Sequence, residues 1–243
     1  VVTNMFSQGT VRVSKVLEGT AKDLAYVKGL VFTVLLTCQV EAIDAEGQPI
    51  IGTVYSGPIS VAGGESRAVV DGDGKPVLLP LGAHCFGEET DFGGALQHWV
   101  DFDSFDNARV VTAAPDEQVL TITATNRFDL AEVVVKKVVV GPGPAGPYTF
   151  ALNCLAANGD ELTLDDADAR FTLAHNESRV ISVPEASRCT VSELNVAPGV
   201  IVSMSDSDGT TEGGSTDGVV TAIASGARVT VTNVFPVVLA EGP

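Results

Sequence analysis

The sequence predicts an all-β protein made of two β-sandwich domains in tandem. Three observations point to this fold class. Short runs of β-branched or alternating apolar residues are separated by glycine-rich breaks. No segment has a long helical period. A set of short motifs occurs twice in the same order, and 243 residues are enough for two domains of ordinary size.

The repeat fixes the domain boundaries. Residues 11–19 match 133–141, and residues 32–38 match 148–154. A Thr-Asn-x-Phe ending occurs at 125–128 and again at 232–235. Each copy is roughly 110 to 125 residues, the size of an immunoglobulin-like sandwich. We therefore predict one domain at 7–128 and a second at 129–243. A third Thr-Asn-x-Phe at 3–6 predicts that residues 1–6 are the end of a preceding repeat or a linker.

The strands follow from local composition. In the first domain, β-branched or alternating runs predict strands at 11–17, 31–40, 68–79, 109–112 and 119–128. In the second domain they predict strands at 133–140, 148–155, 170–173, 179–183, 200–204 and 228–235. Glycine-rich breaks at 63–64, 72–74 and 213–214 interrupt or separate these runs.

Charge and motif content narrow the function classes. A net charge of −17 disfavours binding to nucleic acid or to an anionic membrane. No apolar run is long enough to span a membrane, and no signal peptide is visible at the start. Phosphate loops, dinucleotide fingerprints and nucleophile motifs are missing from the sequence, so we expect no cofactor and no enzymatic turnover.

Four cysteines fall two in each repeat, and the pairs are Cys38 with Cys85 and Cys154 with Cys189. No CxxC spacing is present. An even count, divided equally between the repeats, favours two disulfides and an oxidising, extracellular compartment. The alternative is four buried free thiols.

Each half also carries one lysine, one glutamate and one asparagine at matching places, and the two sets are Lys15, Glu89, Asn126 and Lys137, Glu193, Asn233. Strand side chains alternate between faces. Asn126 has the parity of the apolar residue Ile122, and Lys15 has that of Val13. The second half repeats the pattern, and both glutamates have the parity of the cysteine four residues before them. All six side chains are therefore predicted to point inward.

Three polar groups in a β-core need a reason, because a buried lysine is costly unless it is paired. Burial lowers the pKa of a lysine and raises that of a glutamic acid, which gives a nucleophilic amine beside a proton donor. Held together, such an amine and a carboxamide can form an amide once and release ammonia. This chemistry predicts a Lys–Asn isopeptide bond in each domain.

The layout resembles the collagen-adhesin B-type (Cna-B) domains of Gram-positive surface proteins and pilins. It also resembles repeats in cell-wall-anchored proteins of actinobacteria. The Val-x-Lys opening, the Cys-x-x-x-Glu segment and the Thr-Asn-x-Phe ending carry the resemblance. In that family a first-strand lysine bonds a last-strand asparagine with help from an acidic residue on a middle strand. The resemblance implies a structural stalk or pilus-like module on a bacterial surface. Its anchor and signal would lie outside this sequence, and its partners would be neighbouring repeats.

Other interpretations remain open at this point. In a plain sandwich both lysines would snorkel at a sheet edge, and the asparagines would sit in turns. A ligand-binding adhesin would recognise a host protein or glycan through loops of the first domain, with Trp99 and Phe92 as candidate contacts, although burial of Trp99 in the core is the stronger expectation. The acidic loops at 71–74 and 206–209 resemble calcium loops but lack a full ligand set, so we expect no metal.

Overall fold

The computed structural model of the protein describes residues 8–112, 119–207 and 218–236. Strands dominate those ranges, and the helices there are two single turns, α1 (Ala25–Lys28) and α2 (Asp166–Ala169). The prediction of an all-β sandwich protein is confirmed. The chain divides into two compact units, domain 1 up to Phe128 and domain 2 from Asp129.

Domain 1 is built from two packed sheets and one short strand pair. Its strands are β1 (Gln8–Gly9), β2 (Val11–Glu18), β3 (Val31–Ile43), β4 (Pro49–Ala62), β5 (Ser66–Ala68), β6 (Leu79–Pro80), β7 (His84–Asp91), β8 (Gln97–Val100), β9 (Arg109–Val110) and β10 (Leu120–Arg127). One sheet has the order β5-β2-β10-β8, the other has the order β4-β3-β7-β9, and β1 pairs with β6.

Period-two alternation builds the core of domain 1. In β2 the buried residues are Val11, Val13 and Lys15, while Arg12 and Ser14 between them are partly exposed. In β10 the inward residues Ile122 and Ala124 are fully buried. The first long strand of the domain, β2, and the last strand, β10, are parallel neighbours in the middle of their sheet.

Domain 2 repeats this plan. Its strands are β11 (Leu130–Val140), β12 (Tyr148–Leu155), β13 (Arg170–Leu173), β14 (Ser178–Pro184), β15 (Arg188–Leu194), β16 (Ile201–Asp206), β17 (Val219–Thr221) and β18 (Ala227–Val234). The sheet orders are β14-β11-β18-β16 and β13-β12-β15-β17. Again the first strand β11 and the last strand β18 are parallel neighbours.

Both disulfides are present, which confirms that prediction. Cys38 pairs with Cys85 between β3 and β7, and Cys154 pairs with Cys189 between β12 and β15. In each case the two cysteines are directly opposed across an antiparallel ladder. The bridges therefore lie in the sheet that does not contain the first and last strands of the domain.

The strand predicted at 68–79 is wrong. Its two ends belong to β5 and β6, and between them the chain turns back at a Val70–Pro76 bridge. The Asp71 carboxylate accepts hydrogen bonds from the backbone amides of Asp73 and Lys75, which closes the turn. Aspartate and glycine turn chemistry outweighs the flanking β-branched residues.

The sequence pattern also fails to indicate β4, although it has fourteen residues. Pro49, Gly52 and Pro58 suggest breaks within it. β4 is an edge strand, however, and edge strands tolerate proline because one side of the backbone needs no ladder partner.

No helix in the described parts of the chain has the length and apolar character needed to cross a membrane.

Candidate functional site

Lys15 lies in the interior of domain 1. It occupies the middle of β2, which is a central strand of its sheet, and its side chain is fully buried. Its Nζ atom lies 2.6 Å from Glu89 Oε1 and 4.3 Å from the centre of the Phe32 ring. The lysine therefore contacts both a carboxyl group and an aromatic face. The alternative of a lysine snorkelling at a sheet edge is wrong.

Asn126 reaches the same place from the neighbouring strand. In the parallel ladder Lys15 is opposite Ala124, and Asn126 is two residues further along β10 on the same inward face. Its Nδ2 atom donates to Glu89 Oε1 at 3.1 Å and to the backbone carbonyl of Phe92 at 2.9 Å. The side chain is fully buried in a strand, so the alternative of a turn-forming asparagine is wrong.

Glu89 comes from the opposite sheet. It lies on β7 with the parity of Cys85, and its side chain is fully buried. The register between β3 and β7 shifts just after Glu89, which pairs with Val34. The neighbouring residue of β3, Thr33, pairs with Asp91, so Thr90 is the extra residue of a β-bulge. Bulges re-aim side chains next to functional sites. Here the bulge coincides with the position at which the carboxylate meets the amine and the amide.

Domain 2 assembles the same three residue types. Lys137 Nζ contacts Glu193 Oε2 at 2.8 Å, and Asn233 Nδ2 donates to Glu193 Oε1 at 2.7 Å. Lys137 is opposite Val231 in the ladder, so Asn233 is again two residues beyond the partner of the lysine. The Lys137 and Glu193 side chains are 0% and 1% exposed. In each domain the structure therefore brings together the three residues of the predicted set.

Burial sets the protonation preferences of these groups. Removal from water lowers the pKa of Lys15, against the opposing hydrogen bond and charge of Glu89. Removal from water also raises the pKa of Glu89, against the opposing effects of Lys15 and Asn126. The pKa of Lys137 is lowered by burial too. All three shifts favour the uncharged amine and the protonated acid, which is the reactive combination for amide formation.

Several polar atoms at the two sites have no hydrogen-bond partner. The buried carboxamide oxygens of Asn126 and Asn233 accept no hydrogen bond, and neither does Glu89 Oε2. Buried acceptors without donors are rare and costly in folded proteins. A proton on Glu89 would supply a donor close to the Asn126 amide. Asn126 Cγ, the carbon that carries the carboxamide oxygen, is the atom that an amine would attack.

Two aromatic residues of the site are not singled out by the sequence reasoning. Phe32 lies under Lys15, and Tyr148 lies 4.5 Å from Lys137 Nζ in the same way. The signal that could have found them is their alignment, because residues 32–38 and 148–154 match in the repeat. Their rings stabilise a cation without offering it a proton acceptor.

Trp99 of domain 1 is more exposed than expected. Burial of Trp99 in the core is the wrong prediction, because its side chain lies on the outer face of the edge strand β8 and is 42% exposed. Phe92 and Leu96 nearby are exposed as well.

The first acidic loop, residues 71–74, forms a closed turn. Asp71 is occupied by the amides of its own turn, and residues 208–209 of the second loop lie outside the described residues. Among residues 8–112, 119–207 and 218–236, no three His, Cys, Asp or Glu side chains are grouped to hold a metal ion.

Sequence comparison places both domains in one family. A family described as a domain of unknown function (DUF5979) matches residues 11–129 and again residues 133–236. No curated protein sequence matches this chain significantly.

Solved structures extend the comparison at the level of the fold. The major pilin (T-13) of Streptococcus pyogenes is 12% identical, with a TM-score of 0.50 over 96% of this chain and 98% of the pilin. Another structure of a major pilin from Streptococcus pyogenes gives 12% identity and a TM-score of 0.47, over 96% of this chain and 99% of that one. At this identity the T-13 likeness shows a shared β-sandwich fold.

Proposed function

This chain belongs to the DUF5979 family in each of its two domains, and from that premise we propose that it is a structural module of a bacterial cell-surface or pilus-like stalk. Each domain is stapled by an intramolecular Lys–Asn isopeptide bond and by a disulfide. The observation that carries the proposal is the doubled buried site, in which lysine, glutamate and asparagine meet between the first and last strands of both domains.

The chemistry needs no substrate or cofactor. The neutral amine of Lys15 attacks Cγ of Asn126, a new N–C bond forms, and the bond from Cγ to Nδ2 breaks. Glu89 contacts both nitrogens, so it can take the proton that the amine loses and pass a proton to the leaving Nδ2, which departs as ammonia. Fixed neighbours in a dry site react at a very high effective concentration. The event occurs once per domain, so the protein is not an enzyme with turnover.

The position of the bond gives it a mechanical role. Force that enters at the start of β2 reaches Lys15 after four residues, and Asn126 is the residue before the end of β10. A covalent link between these residues carries the load past residues 16–125 and leaves most of the sandwich unstretched. The parallel alignment of the first and last strands allows the same shortcut in domain 2.

Location and partners follow from the same features. The two disulfides fit an oxidising, extracellular compartment. The pilin-like fold and the Cna-B resemblance support attachment to a cell wall and assembly with neighbouring repeats of the same chain. No nucleic-acid partner is part of the proposal, given a net charge of −17.

Intact mass after full reduction tests the proposal. We expect a mass below that of the unmodified sequence by one ammonia per domain, about 17 Da each, because each amide bond releases one. The variant Lys15→Met should recover the ammonia of domain 1 and keep the loss in domain 2. An unmodified mass for the reduced wild-type chain would contradict the proposal.

Two exposed aromatic side chains support a second candidate function, an adhesin module that recognises a host protein or glycan through domain 1. Trp99 and Phe92 are 42% and 39% exposed, and exposed aromatic groups are common at binding surfaces. If this candidate is right, a Trp99→Ala variant should lose binding to the target while domain 1 keeps the wild-type melting temperature. Equal binding of the wild type and the Trp99→Ala variant to a panel of glycans and matrix proteins would refute this candidate.

A further inference from the structure

The two proposed cross-linking sites differ in the residue opposite the asparagine, which is His98 in domain 1. His98 lies on β8 directly opposite Asn126 in the antiparallel ladder. Directly opposed residues share a face of the sheet, with about 5 Å between their Cβ atoms. The imidazole therefore lies beside the carboxamide that the lysine is proposed to attack.

Phe92 contacts both His98 and Asn126, and so provides a second link between His98 and the site. The rings of Phe92 and His98 stack with centroids 4.2 Å apart and an interplanar angle of 4°. The backbone carbonyl of Phe92 accepts a hydrogen bond from Asn126 Nδ2. This contact fixes the amide with its leaving nitrogen toward Glu89. One short segment thus orients the carboxamide and carries the imidazole, which is exposed to solvent.

The charged surroundings of His98 are few. Glu89 on β7 is the anion whose charge interacts with it, and this interaction is one cause that lowers the Glu89 pKa against the larger effect of burial. Asn126 on β10 is neutral, and Asp91 at the end of β7 accepts the Gly93 amide. Lys15 on β2 pairs with Glu89. The other charged side chains on these strands have the opposite parity to the inward residues and face away from the site; they are Arg12 and Glu18 on β2, Glu88 on β7 and Arg127 on β10.

Domain 2 has no ionisable group at this place. The residue opposite Asn233 on the neighbouring strand β16 is Val202. Domain 2 does have a histidine, His175, whose Nδ1 accepts the backbone amide of Val139. Variants of one domain are therefore the right comparison, rather than one domain against the other.

Resting on the proposed cross-linking, we propose that His98 is a positioning residue that acts through Glu89 as a proton-sensitive brake on amide formation in domain 1. An imidazolium beside the site favours the glutamate anion, and the anion holds Lys15 as an unreactive ammonium. When the imidazole is neutral, the proton can move from the lysine to Glu89, and the free amine attacks. The pair keeps one proton throughout, so only its position changes.

The test follows cross-linking during refolding of the full chain. Unreacted protein is recovered unfolded in denaturant and diluted into oxidising buffer between about pH 5.5 and about pH 8, where an imidazole changes charge. Samples are quenched at intervals, and peptide mapping by mass spectrometry assigns ammonia loss to each domain. One unit charge in a water-like dielectric, opposed by its repulsion of the Lys15 ammonium, predicts an increase of at most about threefold in the domain 1 rate from the acidic to the neutral end.

Three variants separate the brake from a structural role. His98→Val places at this position the residue type found in domain 2 and should remove the slope. His84→Gln is the matched control, because His84 also stacks on a phenylalanine ring, Phe105, and it should keep the slope. Val202→His should steepen the pH dependence of domain 2, a gain that misfolding cannot imitate.

The outcomes distinguish this inference from the proposed function. A His98→Val protein that cross-links with the wild-type pH profile overturns the brake and leaves the cross-link standing. A wild-type chain that loses no ammonia in domain 1 at any pH overturns both. Loss of the slope in His98→Val together with its retention in His84→Gln supports the brake.

Discussion

Replacing Glu89 by glutamine should abolish the cross-link of domain 1 while keeping its fold. Glutamine has nearly the shape of glutamate, so the amide can still bond Lys15 and Asn126 in the space that the carboxylate now occupies. It cannot relay protons, and the amine and carboxamide should remain unreacted. Glu88 is the matched control, because it is the adjacent residue on β7 and its side chain faces solvent.

The size of the effect follows from the loop that the bond closes. Lys15 and Asn126 enclose about 110 residues, and the Cys38–Cys85 disulfide, which spans 47 of them, shortens the free loop to roughly 65. Closing a loop of that length should stabilise the domain by about 4 kcal/mol through the unfolded state. For a domain of roughly 120 residues, that corresponds to a fall of about 15 °C in melting temperature in Glu89→Gln.

Differential scanning calorimetry with intact disulfides measures this change, and the transition of domain 2 serves as the internal reference. Glu88→Gln should melt within about 2 °C of the wild type, as surface substitutions usually do. The masses of the same samples are measured by mass spectrometry. If Glu89→Gln still lost one ammonia in domain 1, or if its domain 1 melted at the wild-type temperature, the reasoning about Glu89 would be wrong.

Three further predictions concern the bonds and charges of the two sites. Asn233→Ala should restore the ammonia of domain 2 alone, and loss of the domain 1 modification in that variant would contradict independent sites. Cross-linking converts Lys15 into an amide and removes its charge, so the pKa of Glu89 should rise further above its ordinary value. Because the raised pKa belongs to the folded state, this glutamate should stabilise domain 1 at acidic pH, and that contribution should be lost as pH rises through its folded pKa. Carboxyl ¹³C NMR and melting curves against pH measure both effects, and a Glu89 titration at or below the ordinary range would refute them. Replacing Cys38 and Cys85 by serine should lower stability by about 4 kcal/mol in denaturant unfolding while the ammonia loss remains, and a stability equal to that of the wild type would argue against a structural bridge.

Much of the site could be predicted from residue parity and from the repeat. Lys15 and Asn126 share the parity of buried apolar neighbours, which is enough to place them inside a sheet. Glu89 lies in the other sheet, and its identification depended on the matching Glu193 in the second copy. Within one copy the parity of Cys85 favours Glu89 over Glu88, and the register runs without a break from Cys85 to Glu89 because the bulge at Thr90 comes after it.

Features that depend on topology were beyond the reach of the sequence. The carbonyl of Phe92 and the ring of His98 approach Asn126 because β8 pairs with β10, and no local pattern encodes that pairing. β8 is only four residues long and lies at a sheet edge, so its side chains carry no clear alternation. The same edge position leaves Trp99 exposed, although its size and apolar character favour the core.

The most direct test of the central claim is sequencing of the cross-linked peptides. After reduction and proteolysis, tandem mass spectrometry should find one branched peptide joining Lys15 to Asn126 and another joining Lys137 to Asn233, each lacking one ammonia. Linear, unmodified peptides that cover all four of these residues would contradict the account.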